Sequence, residues 1–300
     1  MIRSRHLITA TACLALMAVA TSGQSRRSNR GDNTDGTIVS VTASREDKKG
    51  DPIKIDNLFL YENGIEQRIK NFAVDPSPSK ILILVDNSQT LPVSVEDLKK
   101  AVMGFAYEIV EGDQLFVLAY DEKAEIVQEW TDDAKKMETS LATFRKKGNP
   151  NLFDALDASM KEVLLPLMPG TRKTAVVLIG DGVDRGSKAT FEKMLAEYQN
   201  QNVTIYSLQL PDRTGGAFRR DQPKAAAVIT RFAEETGGRV FPFEEAQTAA
   251  KFICDELRRN RYLLSYMPTN SSSYDARKLF LLADEGIAVR MKAAHPPNVK

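Results

Sequence analysis

The sequence predicts an α/β fold: a doubly wound, mostly parallel sheet with a small flanking β-domain built from N- and C-terminal strands. Three observations predict it. Continuous apolar runs alternate with amphipathic, helix-period stretches from Lys80 to Asn260, the pattern of strands buried on both faces and joined by crossover helices. Two of those apolar runs end in acidic residues, and open α/β sheets build their sites at such strand ends. Period-two segments flank this stretch on both sides, and each is too short to bury a core alone. A length of 300 residues accommodates one medium domain with a small companion.

In chain order, Arg3 and Arg5 precede an apolar or small stretch from Leu7 to Ala20 and then Thr21-Ser22-Gly23, the pattern of a secretory signal peptide over residues 1–23. The alternative is an uncleaved membrane anchor, but the run is shorter than a membrane span needs and turns polar at Gln24. Residues 24–36 are polar and read as a disordered leader. Thr37–Ser44, Leu58–Tyr61 and Glu66–Phe72 are β-type runs, with Asn63-Gly64 as a hairpin turn signal, and form an N-terminal β segment over 37–75. Asp75-Pro76-Ser77-Pro78-Ser79 reads as a linker, since each proline fixes φ and removes a donor.

The α/β domain spans 80–260. Ile81–Val85 is a buried strand, and Ser94 with Asp97 opens a helix. Gln114–Tyr120 and Ala124–Trp130 are strands joined by the tight turn Asp121-Glu122-Lys123, hence antiparallel, and the single Trp130 reads as core packing. Helices follow at about Asp133–Phe144 and Leu152–Leu165, then a strand at Thr174–Gly180, a helix at Lys188–Gln201 and a strand at Val203–Leu210. A loop runs from Pro211 to Gln222, a helix from Lys224 to Thr236 ends at Gly237-Gly238, and Arg239–Phe243 and Glu244–Asn260 complete the domain as strand and helix. The tail, 261–295, returns to strands at Tyr262–Met267, Lys278–Ala283 and Ile287–Met291, and is expected to pair with the N-terminal segment.

Composition excludes several chemistries. The only histidines are His6 and His295 and the only cysteines are Cys13 and Cys254, too few for a zinc site, a Ser-His-Asp triad or a disulfide framework. Cys254 lies on the apolar face of the last helix and reads as a small buried hydrophobe. A net charge of +1 argues against a nucleic-acid partner. Once the signal peptide is removed no membrane-spanning segment is expected.

The first acidic strand end reads Ile81-Leu82-Ile83-Leu84-Val85-Asp86-Asn87-Ser88-Gln89-Thr90 and the second Val176-Val177-Leu178-Ile179-Gly180-Asp181-Gly182-Val183-Asp184. Asp86, Ser88 and Thr90 occupy alternate positions, so one carboxylate and two hydroxyls can converge, and Asp181 adds a second carboxylate. Such an all-oxygen set suits a hard divalent cation, Mg²⁺ first, then Ca²⁺ or Mn²⁺. With few charged ligands the ion keeps a coordination position for a partner's carboxylate.

At these residues the chain resembles the von Willebrand factor type A domains, whose metal-ion-dependent adhesion site has the pattern D-x-S-x-S/T, a distant Thr and a distant Asp. The flanking Leu58–Gly64 and Tyr262–Thr269 resemble the bacterial exported "VWFA-related" family. That resemblance implies a secreted or periplasmic metal-binding or protein-binding module with no established enzymatic activity. One departure matters: Pro150 falls where the family's Thr ligand stands, and Asn149 or Asn151 would be the substitute ligands. Two outcomes stay open, a site that holds a cation, and one in which Asp86 and Ser88 are hydrogen-bonded turn residues of a fold that binds partners without metal.

Arg213, Arg219 and Arg220 in the Pro211–Gln222 loop read either as solvated side chains or as a cationic rim for an acidic partner protein. Asp184 is expected to cap the turn before the Lys188 helix, and Asp154 to stabilise a helix N-terminus. Two other readings compete with the binding module. One is a haloacid-dehalogenase-like phosphatase, which the chain resembles through Gly180-Asp181-Gly182-Val183-Asp184, with Asp86 as nucleophile and Asp181 and Asp184 as metal ligands. It lacks the general acid, since Ser88 stands where that family has a second Asp. The other is a metal-independent scaffold protein.

Overall fold

The computed structural model describes residues 36–297 apart from 47–49, 169–172, 213–221 and 270–274. The signal peptide of residues 1–23, the leader up to residue 35, and Arg213, Arg219 and Arg220 therefore lie outside the described residues.

The first four strands are β1 (Thr37–Arg45), β2 (Leu58–Glu62), β3 (Ile65–Gln67) and β4 (Ile69–Val74). The central part runs β5 (Lys80–Asp86), α1 (Val95–Glu108), β6 (Gln114–Tyr120), β7 (Ala124–Thr131), α2 (Ala134–Leu141), α3 (Leu152–Ala158), β8 (Thr174–Gly180), α4 (Phe191–Asn200), β9 (Thr204–Gln209), α5 (Ala225–Glu235), β10 (Val240–Pro242) and α6 (Ala246–Arg259). The tail adds β11 (Arg261–Tyr266), β12 (Arg277–Ala283), β13 (Ile287–Met291) and β14 (Ala294–His295).

Among the described residues the central sheet has six strands in the order β10-β9-β8-β5-β6-β7, all parallel except β7, which runs antiparallel to β6. Every residue of β8 is buried, as a strand covered on both faces requires. Alternate side chains serve the two faces. Ile81, Ile83 and Val85 pack with the buried faces of α1 and α6, while Leu82 and Leu84 pack with α3, α4 and α5. Helix starts follow side-chain chemistry: Ser94 Oγ accepts from the Asp97 N–H at 3.0 Å, and Asp133 Oδ1 accepts from the Lys135 N–H at 2.9 Å. Cys254 is buried in the first of these two cores, and burial pushes its thiol up to about 12.

The flanking strands interleave by terminus. One four-stranded sheet has the order β13-β1-β11-β4, in which C-terminal and N-terminal strands alternate, and the other has the order β14-β12-β2-β3, in which the two termini meet only where β12 pairs with β2. Val39, Val41, Leu60, Leu264, Tyr266 and Leu281 form the core between them. This layer docks at the amino ends of the central strands. The buried Arg261 donates through Nη2 to Thr204 Oγ1 (2.6 Å), Lys292 Nζ donates to the Gln199 carbonyl (2.7 Å), and the Ala293 N–H donates to the Glu235 carbonyl (2.9 Å). The carboxyl ends of the central strands are left uncovered by it.

Several expectations are corrected. The run Glu66–Phe72 is two strands, β3 and β4, in different sheets; Gln67 and Ile69 are both buried around the exposed Arg68, so the alternation continues unbroken through the sheet switch. Residues 75–79 are no solvated linker. Asp75 and Ser79 are buried, and the Ser79 N–H donates to Asp113 Oδ1 at 2.6 Å. The helix expected over Leu152–Leu165 is α-helical only to Ala158 and then π-helical over Ser159–Leu164, where Ser159 Oγ donates back to the Ala155 carbonyl. The helix expected from Lys188 starts at Phe191, and the one expected over Asp133–Phe144 stops at Leu141. The strand expected over Arg239–Phe243 is limited to Val240–Pro242 and gives way to a 3-10 turn at Phe243–Glu245.

Candidate functional site

β5 and β8 are the neighbours at which the sheet changes direction: the chain builds outward through β6 and β7 on one side and through β9 and β10 on the other. A crevice opens outside the carboxyl ends of two such strands. Asp86 is the last residue of β5, and Asp181 directly follows β8.

Asp86 and Ser88 are fully buried. The Ser88 N–H donates to Asp86 Oδ1 at 2.8 Å, a turn in which a side chain replaces a backbone acceptor. Ser88 Oγ and Thr90 Oγ1 lie 3.2 Å apart, with Thr90 on the exposed side. Asp181 Oδ1 accepts from the Val183 N–H at 2.9 Å. Asp86 Oδ2 is buried and, among the described residues, has no hydrogen-bond partner. Burial first, and the Asp181 charge among lesser causes, raise the Asp86 carboxyl from 3.8 to about 7. Burial also raises Asp181, with the Asp212 charge adding to it.

The loop after Asp86 is braced from the far side of the crevice. The Lys147 N–H donates to the Asn87 carbonyl (2.9 Å), the Gln89 N–H donates to the Gly148 carbonyl (3.2 Å), and Lys146 Nζ donates to the carbonyls of Leu91 and Val93. Gly148 has φ +61° and meets the Asp121 side chain where a Cβ would stand, at 3.1 Å, so a side chain at this bracing turn would be strained.

A divalent cation fits this set in part. A buried carboxylate oxygen without a donor, a pair of hydroxyls beside it and a second raised carboxylate are the surroundings a hard cation relieves. Among the described residues no group of three or more His, Cys, Asp or Glu side chains is gathered for a metal, so a cation here depends on the hydroxyls of Ser88 and Thr90. Pro150, where the resemblance implied a Thr ligand, is buried and offers only its carbonyl, which accepts from the Arg185 N–H at 2.8 Å. The candidate substitutes are engaged elsewhere. Asn149 Oδ1 accepts from Arg185 Nη1 at 3.5 Å; Asn151 Nδ2 donates to the Glu122 carbonyl at 3.2 Å, and its Oδ1 lies against Gly186.

The roles expected of Asp154 and Asp184 are exchanged. Asp184 Oδ1 accepts from the Phe153 N–H at 3.2 Å, at the start of α3, and from Ser187 Oγ; its Oδ2 accepts from Gln222 Nε2 at 3.3 Å. Asp154, in the first turn of α3, accepts the Lys188 and Ala189 N–H groups at 2.9 and 2.8 Å and so holds the turn before α4. Each acid serves the other's segment, and Asp184 has both oxygens committed, contrary to what the phosphatase reading would ask of it.

One residue at the crevice carries no sequence motif. Tyr120, the last residue of β6, is paired in register with Asp86 and fully buried, and among the described residues its hydroxyl has no hydrogen-bond partner. The signal available in the sequence is that a phenol ends the apolar strand next to the acid-bearing one.

Residues 81–183 match the family model of the von Willebrand factor type A domain. No curated protein matches the chain. A von Willebrand factor type A structure from Catenulispora acidiphila is similar in fold, with a TM-score of 0.50 and 10% identity, over 86% of this chain and 75% of that one. An aerotolerance-related membrane protein from Bacteroides fragilis aligns with a TM-score of 0.47 and 17% identity, over 60% of this chain and 99% of that one. Proximal thread matrix protein 1 from the mussel byssus aligns with a TM-score of 0.48 and 16% identity, over 66% of this chain and 49% of that one, so the match spans about half of that protein.

Proposed function

We propose that this chain, whose residues 81–183 match the von Willebrand factor type A domain, is an exported binding module that takes a partner protein at the crevice between β5 and β8. A divalent cation, Mg²⁺ first, is held there by Asp86, Ser88, Thr90 and Asp181, and an acidic side chain of the partner completes its coordination. The reading rests on Asp86 Oδ2, a fully buried carboxylate oxygen with no donor, beside the Ser88–Thr90 hydroxyl pair. Leaving such an oxygen unpaired costs about 1–3 kcal/mol or more for a charged group, and a cation recovers that cost. Export follows from the signal-like residues 1–23, and Arg213, Arg219 and Arg220 would extend the rim toward an acidic partner. Among the described residues no helix is long and apolar enough to cross a membrane.

Pro150 in place of a ligating Thr, with Asn149 and Asn151 engaged elsewhere, supports weak cation affinity in the absence of the partner. Thermal melting tests the reading. Millimolar Mg²⁺ is expected to raise the midpoint of the wild-type chain, because a ligand that binds only the folded state stabilises it, and Asp86→Ala is expected to abolish the rise. No shift in the wild type up to about 10 mM Mg²⁺ removes the metal and leaves a metal-free docking face.

A further inference from the structure

Gly180, Asp86 and Tyr120 form one row across β8, β5 and β6. Asp86 is registered with Tyr120, and Val85 with Ile179 places Gly180 beside Asp86 on the other flank. Side chains of registered residues in parallel strands leave the sheet on the same face, so the phenol and the carboxyl stand side by side. Gly180 supplies the room: a Cβ there would lie 3.2 Å from Asp86 Cβ, 3.2 Å from Tyr120 Oη and 3.6 Å from Asp86 Oδ2. The two oxygens that converge on this notch, Asp86 Oδ2 and Tyr120 Oη, both lack a hydrogen-bond partner among the described residues.

Core packing does not account for that hydroxyl. The ring of Tyr120 packs among Leu82, Leu84, Phe116 and Leu118, where phenylalanine would fill the same space without burying a polar atom. A buried hydroxyl without a partner costs about 1–3 kcal/mol, and such an atom in a folded protein calls for an explanation. A phenol is neutral at physiological pH, so its hydroxyl can donate one hydrogen bond or accept one. Asp86 Oδ1 is already occupied by the Ser88 N–H. Oδ2 is the acceptor within the same notch.

We propose that Tyr120 is the positioning residue of this crevice: its hydroxyl donates to Asp86 Oδ2 when the carboxylate is charged, fixing the carboxylate plane between two donors, the phenol and the Ser88 N–H, and leaving its remaining lone pairs to a divalent cation. The inference rests on the cation reading above for its purpose, and on the Gly180 notch for its geometry. It gives this chain an outer hydrogen bond that steadies Asp86 at a site whose usual Thr position is Pro150. Partners of this kind, which orient a ligating carboxylate without touching the metal, change metal affinity by about 10–100-fold when removed.

The test is a double-mutant cycle on the full chain with Tyr120→Phe, Asp86→Ala and the double variant, read as melting midpoints in EDTA at pH 8 and again across a Mg²⁺ titration. The expected result is a non-additive cycle in EDTA and a Mg²⁺ affinity about tenfold weaker in Tyr120→Phe than in the wild type, with that variant still folded because the substitution removes one oxygen from a well-filled core. An additive cycle overturns the Tyr120–Asp86 pair whatever the metal does. A wild type with no Mg²⁺ response overturns the cation reading instead, and the EDTA cycle then still decides the pair. Equal Mg²⁺ affinity in the wild type and Tyr120→Phe overturns the positioning role.

Discussion

Asp86 stands at the floor of the crevice with its charge opposed by burial, and the consequence is a pH dependence of stability with a definite sign. Its folded-state pKa of about 7 lies above the ordinary 3.8, so the fold binds the proton more tightly than the unfolded chain does. The metal-free chain is therefore at its full stability from this group below about pH 4 and loses that stability as pH rises through about 7, at a cost on the order of 4 kcal/mol by pH 8. Asp86→Asn carries no charge to bury. It is expected to raise the metal-free melting midpoint at pH 8 by several degrees and to leave it nearly unchanged at pH 4; equal effects at both pH values would show that the carboxylate is not held in a desolvated site. Mg²⁺ acts in the opposite sense, raising the wild-type midpoint at pH 8, where the carboxylate is charged, more than at pH 5, where protons compete. Asp86, Ser88, Thr90 and Asp181 are legible in the sequence because apolar runs announce two strand ends and the acids follow them at once. Tyr120 is not, since its meaning depends on the register of β6 against β5, which no pattern within either strand specifies.

At the scale of elements, the crevice wall is held by the exchange between Asp154 and Asp184. The N–H groups at the start of a helix have no partner within it, and here the start of α3 is served by an acid from the segment after β8, while the turn before α4 is served by an acid of α3. Losing a cap of this kind costs about 0.5–2 kcal/mol. Asp184→Ala, which abandons Phe153, Ser187 and Gln222 together, is expected at or above the top of that range, and Asp184→Asn, which keeps one acceptor oxygen, at less than half of it. Urea denaturation of the two variants checks this, and equal losses would show that the carboxylate's second oxygen carries the brace. That Asp154 sits at a helix start is legible from its type and position, and that Asp184 lies before one is legible from its place in the segment between β8 and α4. Which start each serves is not, because the partners are 31 and 34 residues away. The early end of α3 as regular α-helix goes with a local bond instead: Ser159, one polar residue in an amphipathic pattern that reads as continuous helix, turns its hydroxyl back onto the Ala155 carbonyl.

At the scale of the whole molecule, the two termini and the central domain depend on each other unequally. Among the described residues, neither core that flanks the central sheet contains one beyond Leu257, whereas the core of the flanking sheets draws Leu264, Tyr266, Leu279 and Leu281 from the tail and Val39, Val41, Leu58 and Leu60 from the N-terminal strands. The period-two pattern on either side of the central part makes this partnership legible; the interleaving of β1 between β13 and β11 is not, because alternation specifies which face a strand buries and not its neighbour. Arg261 joins the two parts, fully buried between Thr42 of β1 and Thr204 of β9. A chain ending at Asn260 loses β11 to β14 and leaves β1, β2 and β4 without their hydrogen-bonded partners from the tail. Limited proteolysis of that chain is expected to cut within residues 37–74 at least tenfold faster than in the full chain, since protection there falls by more than the 1.4 kcal/mol that a tenfold change represents, while a fragment covering the central domain persists. Mg²⁺ should still raise its melting midpoint, because the crevice lies at the carboxyl ends of β5 and β8 and the lost strands dock at the amino ends. Continued protection of residues 37–74 would mean that the N-terminal strands hold their fold without the tail, and loss of the Mg²⁺ response with the central domain intact would mean that the two ends of the sheet are coupled through Arg261.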